Sequence, residues 1–274
     1  MTDRLSALLQ RFELRARVFH HGPLCGTVGF DAEAGAGAGH LHLLRQGTLV
    51  LTDAAGRCSR VGEPAVLFFP RPMAHRLEAE VADLVCASID FGAGDENPLL
   101  RGLPEWLCSP LAELPGLALT QQLLFDEAAA GRCGHGAVVD RLSEVLLIQL
   151  LRHVIEHRRV EAGAMAGLAD PRLAKALNAV HAEPARPWTL QSLAAVAGMS
   201  RARFAAHFAR TVGVPPGDYL AGWRLALARK SLRRGQALKQ VAHEVGYASA
   251  SALARAFTQR FGRTPTQWLA AGVH

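Results

Sequence analysis

One pattern in the last third of the chain occurs twice. Phe208-x4-Gly213-x2-Pro216-x2-Tyr219-Leu220 returns as Phe257-x4-Gly262-x2-Pro265-x2-Trp268-Leu269, every matched pair 49 residues apart. Upstream, Ala194-x3-Gly198 is matched by Ala242-x3-Gly246 at an offset of 48, so the second copy carries one more residue after its glycine. A motif of this length at a fixed offset marks a duplicated supersecondary unit. Such a chain must build the same local fold twice.

Each copy predicts a helix, a tight turn and a second helix. Thr189 is placed to cap a helix with Leu190, Leu193, Ala194 and Ala197 on one face. Gly198 supplies the backbone freedom for a sharp turn, and Ser200 is expected to cap the next helix, where Phe204 and Phe208 face inward. The second copy runs Val241, Ala242, Val245, Gly246, a Ser249 cap, then Leu253 and Phe257. The small alanine four residues before each glycine lets the two helices approach closely, the spacing of a helix-turn-helix whose second helix is available to a major groove. The outer faces of those second helices carry Ser200, Arg201, Arg203, His207 and Arg210 in one copy, and Ser249, Ser251, Arg255, Gln259 and Arg260 in the other. Arginine can bond guanine through two hydrogen bonds, and Ser or Gln can bond base edges or phosphates. Copy one, starting with two arginines, is expected to do more of the base reading. Between the copies, residues 223–234 read as a connecting helix that buries Trp223, Leu225 and Leu232 and exposes Arg229, Lys230, Arg233 and Arg234 near phosphates.

Charge divides the chain at the same place. Residues 1–165 hold 15 Arg and no Lys against 20 Asp and Glu, a net −5, whereas residues 166–274 hold 15 Lys and Arg against 4 acids, a net +11. A basic module joined to a mildly acidic one points to a polyanion partner for the basic part alone. The 274 residues suit two domains. No run of about 18 uncharged apolar residues is present and the N-terminus is a charged amphipathic stretch, so a cytoplasmic protein without membrane contact is expected. Five cysteines without regular spacing do not form a secreted disulfide framework.

The stretches WTLQSLAAVAGMSRARFAAHF and VAHEVGYASASALARAFTQRFGRTPTQW resemble the DNA-binding domain of AraC/XylS regulators, and the likeness covers residues 168–270. It implies seven helices, with two recognition helices entering successive major-groove segments of double-stranded promoter DNA. Leu253 stands where that family usually has an aromatic residue. From residue 17 to 91 short β-like runs appear: 17–21, 24–30, 40–44, 48–51, 66–70, 75–78 and 84–91, separated by turn residues. HLHLLRQGTLVLTDAAG and VGEPAVLFFPRPMAHRLEA resemble the cupin jelly roll that serves as a sensor in this family, although Pro72 stands where a glycine is usual. Residues 111–131 and 136–161 then read as long helices, which in the family pair two protomers. The expected architecture is α+β and multi-domain. A cupin-like jelly roll (1–96) and a helical dimerisation segment (97–162) are followed by a small-residue linker (163–167) and an all-α tandem helix-turn-helix domain (168–274). A homodimer and contact with RNA polymerase are the protein partners this implies.

Soft-ligand side chains recur on the predicted strands: Cys25, His42, His75 and Cys86, with His40 on the face of His42. Two cysteines and two histidines suit tetrahedral zinc. No glutamate follows His40-Leu-His42, which argues against a cupin catalytic iron or manganese site and so against a cupin enzyme with an accessory basic domain. The N-terminal stretch also resembles the reactive-chlorine- and oxidant-responsive subset of the family, in which cysteines match Cys25 and Cys86. Oxidation of those thiols, with or without bound zinc, is a second reading. A third is that the thiols are small apolar core groups and the histidines hydrogen-bonded ones. The sequence leaves all three open. Binding to DNA without sequence preference is the remaining alternative for the basic part.

Overall fold

The computed structural model describes residues 3, 5–31, 38–92, 97, 100, 102–157 and 162–271. Residues 32–37 of the predicted turn and 158–161 at the end of the predicted second long helix lie outside the described residues. Of those described, residues 13–92 and 103–157 form one compact unit, and residues up to 12, from 97 to 102 and from 162 onward form the other.

The first unit is a seven-stranded antiparallel sheet: β1 (Arg15–Phe30), β2 (Gly39–Gly47), β3 (Leu49–Thr52), β4 (Cys58–Val61), β5 (Ala65–Phe69), β6 (His75–Asp90) and β7 (Leu107–Pro110). The order is β4-β3-β6-β2-β5-β7, with β1 paired along β6. Two predicted pairs of runs are thus single 16-residue strands. Pro23 does not break β1, because among the described residues β1 pairs only with β6 and an edge strand has an unused N–H side. The short strands β4 and β7 were not expected. Leu44, Leu49, Leu51, Leu67, Phe69, Leu77, Leu84 and Cys86 form the core of the sheet. Helices α2 (Ala118–Ala130) and α3 (His135–Glu156) pack on each other, and both touch β1. Two 3-10 turns, Leu111–Glu113 and Pro115–Leu117, take up the start of the predicted first long helix. Two carboxylates of α3 close the open edge of the sheet: Val18 N donates to Asp140 Oδ1 (2.7 Å) and Ala16 N to Glu144 Oε1 (3.3 Å). Edge amides that are paired in this way cannot template another strand.

The second unit is helical: α1 (Ser6–Arg11), α4 (Gly163–Ala169), α5 (Leu173–Ala182), α6 (Leu190–Val196), α7 (Arg201–Val212), α8 (Pro216–Arg233), α9 (Leu238–Glu244), α10 (Ala250–Phe261) and α11 (Pro265–Ala271). From α5 to α11 these are the seven helices that the resemblance implies. Two boundaries need correction. The stretch 163–167 is no linker but most of α4, whose seven residues are all buried and which packs on α5 and α7. Its glycines and alanines looked like spacer material, yet small side chains are what lets a short helix sink between neighbours. Gly167, for instance, leaves no room for a Cβ against Leu177. The second correction is that the N-terminal residues belong to the basic unit and not to the sheet. Phe12, 1% exposed, meets the Trp223 ring edge-on at 5.1 Å, and Leu8 is fully buried. Arg11 Nη2 donates to Ala182 O, Lys230 Nζ to Arg11 O (2.5 Å), and Asn178 Nδ2 to Asp3 O.

Trp223 also packs against His181 (4.1 Å between ring centroids, planes tilted by 33°), whose Nε2 shares a 2.7 Å hydrogen bond with Tyr219 Oη. Complete burial pushes the His181 imidazole down to about 3 from an ordinary value of 6.5. Two outcomes are expected. Phe12→Ala will destabilise the basic unit by about 3–5 kcal/mol, as truncation of a buried aromatic does. Urea unfolding followed by tryptophan fluorescence will show this, and an unchanged midpoint would refute the packing. Because the unfolded chain takes up a proton that the native His181 refuses, stability is complete above 6.5 and falls as pH drops toward about 3. His181→Phe should flatten that slope in urea midpoints measured between pH 7.5 and 4.5.

Candidate nucleic-acid interface and sensor core

The two helix-turn-helix units are built alike. At the end of α6, Met199 N donates to Ala194 O (2.9 Å) and Gly198 N to Ala195 O (3.0 Å), and at the end of α9 Tyr247 N donates to Ala242 O (2.7 Å) and Gly246 N to His243 O (3.1 Å). This is the Schellman closure. The alanine that recurs in each copy thus has two duties: it is a small buried side chain, and it supplies the carbonyl that ends the helix. Gly198 and Gly246 hold φ +64° and +88°, the left-handed conformation the closure requires. From the glycine to the N-cap is two residues in the first unit and three in the second, where the extra residue of the repeat goes. Thr189 makes a full capping box with Ser192, and the Ser249 side chain accepts from Ala252 N. Ser200 occupies the N-cap of α7 but its side chain makes no capping bond, contrary to expectation.

On α7, Phe204, Phe208 and Val212 are buried, and on α10 Leu253 and Phe257 are. Leu253 is fully buried, so it fills the place of the usual aromatic. Phe208 packs on Tyr219 and Phe257 on Trp268, both at 5.6 Å, the same contact made twice by the repeat. These anchors turn Ser200, Arg201, Arg203 and Arg210 outward on one helix, and Ser249, Ser251, Arg255, Gln259 and Arg260 outward on the other, all exposed. His207 is different. It is half-buried, donates through Nε2 to Asp170 Oδ2 (2.8 Å) and accepts at Nδ1 from Arg210 (3.0 Å). Asp170 Oδ1 in turn accepts from the Arg172 and Leu173 amides, so His207 ties α7 to the junction of α4 and α5. On the connecting helix α8, Arg233 and Arg234 are exposed as expected, whereas Arg229 and Lys230 are only partly so. Arg229 lies over the rings of Phe261 (5.1 Å) and Trp268 (4.9 Å), Arg233 over Trp268 (4.9 Å), and Lys230 is bound to Arg11 O. Trp223, Leu225 and Leu232 are buried as expected.

In the sheet unit the histidines converge. His40, His42 and His75 are buried, and the His75 ring is stacked between Phe69 (3.9 Å) and Phe30 (4.6 Å). His75 Nδ1 donates to Met73 O (2.8 Å), which leaves its Nε2 as an acceptor for the Nε2–H of His42 at 2.9 Å. Nδ1 of His42 and Nδ1 of His40 are buried without a hydrogen-bond partner among the described residues. Burial holds all three imidazoles neutral: His42 is pushed well below the ordinary range, His75 down to about 4, and His40 down. Cys86 is the ladder partner of His42, so the two side chains share a face, and burial pushes its thiol up to about 12. Cys25 lies elsewhere. It is exposed, at the bulge of β1 between Leu24 and Gly26. His20 is the residue of β1 opposite Cys86, and five residues of strand separate it from Cys25, roughly 16 Å at the usual rise. A disulfide needs Cα atoms within about 7 Å, so Cys25 and Cys86 do not reach each other in this fold. The four expected zinc ligands are therefore not gathered. His42, His75 and Cys86 share the core and Cys25 does not. Among the described residues no group of three or more His, Cys, Asp or Glu is arranged to hold a metal ion. Cys58, Cys108 and Cys133 are exposed.

Among the described residues no helix is long and apolar enough to cross a membrane. The family model described as cupin matches residues 3–156, and that described as helix-turn-helix domain matches residues 193–271. A putative AraC-like transcription regulator of Streptomyces lividans is 38% identical over 187 residues, 66% of this chain and 61% of that protein, so the chain spans less than two thirds of that relative's length. An uncharacterized HTH-type transcriptional regulator of Haemophilus influenzae is 31% identical over 262 residues, 86% of this chain and 87% of that one. The RCS-specific HTH-type transcriptional activator RclR of Escherichia coli is 29% identical over 255 residues, 88% of this chain and 89% of the other.

Proposed function

The chain belongs to the AraC-type family of transcriptional regulators, with a cupin domain before its helix-turn-helix region, and on that premise we propose that it binds double-stranded promoter DNA sequence-specifically under the control of a signal received by the sheet unit. The observation that carries this reading is the pair of Schellman-closed helix-turn-helix units, each anchored by two buried side chains four residues apart and each turning polar side chains outward. The family is one of regulators and not of enzymes. The first unit does most of the base reading through Arg201 and Arg203, and the second, starting with Ser249 and Ser251, more of the positioning. Charge reversal, Arg201→Glu or Arg203→Glu, should abolish binding to a promoter fragment while leaving the urea unfolding midpoint unchanged, both residues being exposed. Unaltered footprints with either variant would overturn the assignment. Competition with random DNA at fixed salt separates this reading from sequence-blind binding, since phosphate contacts carry no sequence information.

The signal is read here as an oxidant, with or without zinc. Support comes from the exposed Cys25 on a bulged strand and from the likeness to a relative named as RCS-specific. In this fold the step open to Cys25 is its own oxidation, hypochlorite delivering oxygen to the thiol to give sulfenic acid and chloride, and not a direct bond to Cys86. For zinc, His42 and Cys86, paired across the β2–β6 ladder, supply one nitrogen and one sulfur donor of the right softness, two of the four that a tetrahedral site takes. Bound zinc would lower the thiol's proton affinity and so hold Cys86 as thiolate. A second copy of the chain is the partner we favour for α2 and α3, where Leu119, Leu123, Val138 and Val145 are exposed apolar side chains; RNA polymerase is the further partner this role calls for. Elemental analysis and DNA affinity before and after hypochlorite, with Cys25→Ser alongside, test the signal. We expect the wild type to change affinity and Cys25→Ser not to. No metal and no change in affinity would remove the zinc and oxidant readings together.

A further inference from the structure

The two turn glycines are equivalent in sequence but not in surroundings. A Cβ on Gly198 would meet nothing within 4 Å, whereas one on Gly246 would stand 2.7 Å from Arg224 Nη2 and 2.8 Å from Ala185 Cα. The turn of the second unit is therefore pressed against a seat made by Arg224 and the 183–189 loop that leads into the first unit. Arg224, on α8, is fixed in that seat: Nε donates to Pro184 O (2.9 Å) and Nη2 to Arg186 O (2.8 Å). Its guanidinium also lies 6.0 Å from the ring of Tyr247, the residue after the glycine. One side chain thus touches the entry of the first helix-turn-helix and the turn of the second.

We propose that Arg224 is a positioning residue that fixes the separation and angle of α7 and α10, and so sets the spacing between DNA segments that the protein accepts. The inference rests on the DNA-binding reading above. A connecting helix alone holds two units only through its ends. Two directed hydrogen bonds to one loop and a van der Waals seat for the other turn remove the remaining rotation. The planar fork of arginine reaches two carbonyls at once, which the point charge of lysine does not. Were Arg224 merely a fold stabiliser, its loss would weaken all DNA binding alike. That a Cβ at Gly198 would meet none of the described residues within 4 Å argues that the crowding at Gly246 belongs to the junction and not to the turn.

The test uses the full chain and a duplex enriched by the wild type from a random-sequence pool, in three forms: intact, with one of its two segments scrambled, and with one base pair inserted between them. Arg224→Gln and Arg224→Lys, assayed below their unfolding midpoints, should lose about tenfold or more in affinity for the intact duplex and change less than about twofold on the single-segment duplex, because only the linked gain depends on geometry. The penalty for the inserted base pair should shrink in both. Gly246→Ala should follow them, while Gly198→Ala, strained in φ only, should keep the wild-type ratio. Equal losses on all three duplexes, or an insertion penalty unchanged from wild type, would overturn the proposal with DNA binding intact. If the wild type enriches no sequence, the DNA-binding reading fails and this inference with it.

Discussion

Burial of the Trp223 indole is the contact on which the basic unit is assembled. The ring lies midway along α8, the helix joining the two repeats, and it is fully buried. His181 of α5 covers one side and Phe12 of the N-terminal segment meets it edge-on. A large aromatic at such a site holds three elements that are far apart in sequence, and it also orders α8 for everything attached to it. Tyr219 one turn earlier carries Phe208 of α7, and Arg224 on the next residue reaches the loop before α6. The exposed arginines of α7 are therefore placed by a cluster of neutral rings in edge-on and tilted contact, and neutrality is part of the arrangement. A charged imidazole against Trp223 without a counter-ion would cost the desolvation that keeps His181 deprotonated.

Much of this was legible in the sequence, for a physical reason. The repeat shows because the same unit must be built twice: its backbone closure demands a glycine with positive φ, and the close approach of its two helices demands a small residue four places earlier. Most of the strands, though not the short β4 and β7, the buried faces Phe204/Phe208 and Leu253/Phe257, and the outward polar residues other than His207 follow from periodicity alone. What was not legible depends on partners far away in the chain. The α4 stretch Gly-Ala-Met-Ala-Gly has no periodic signal and looks like a spacer until α5 and α7 are there to enclose it. Residues up to 12 carry an amphipathic pattern, but nothing in that pattern says which unit the apolar face meets. Long-range hydrogen bonds also commit His207 to Asp170, and Lys230 to Arg11 O, where the local sequence shows only cationic faces.

The sheet unit shows how far identical residue types can differ in chemistry. Cys86 and Cys25 both sit on strands, yet one is a thiol made reluctant to ionise by burial and the other faces solvent at a bulge. A site that collects His42, His75 and Cys86 but excludes Cys25 separates a buried donor set from a surface thiol. Communication between them, if the signal needs it, has to travel along the β1–β6 ladder, whose register at His20–Cys86 and at the Leu24–Gly26 bulge connects the two positions. A bulge leaves one residue out of the pairing, so a larger or more polar group at Cys25 can be admitted there with little disturbance or can shift the register locally. Either way the hydrogen bond between His42 and His75 lies beside the same ladder.

The repeat is symmetric in sequence, but the protein built from it is not. Phe208–Tyr219 and Phe257–Trp268 are the same contact, whereas the surroundings of the two turns diverge: open at Gly198, crowded at Gly246. Two copies joined by one helix must differ at their junction, because only one turn can face the loop that precedes the other copy. The extra residue in the second turn is the sequence trace of that difference, since it lengthens the path from Gly246 to the Ser249 cap while Arg224 and Ala185 fill the space beside the glycine. A duplicated reader gains a defined span only when such a junction is rigid; otherwise it is two independent readers on a tether. The contacts around Arg224 are therefore where a repeated motif becomes a single ruler.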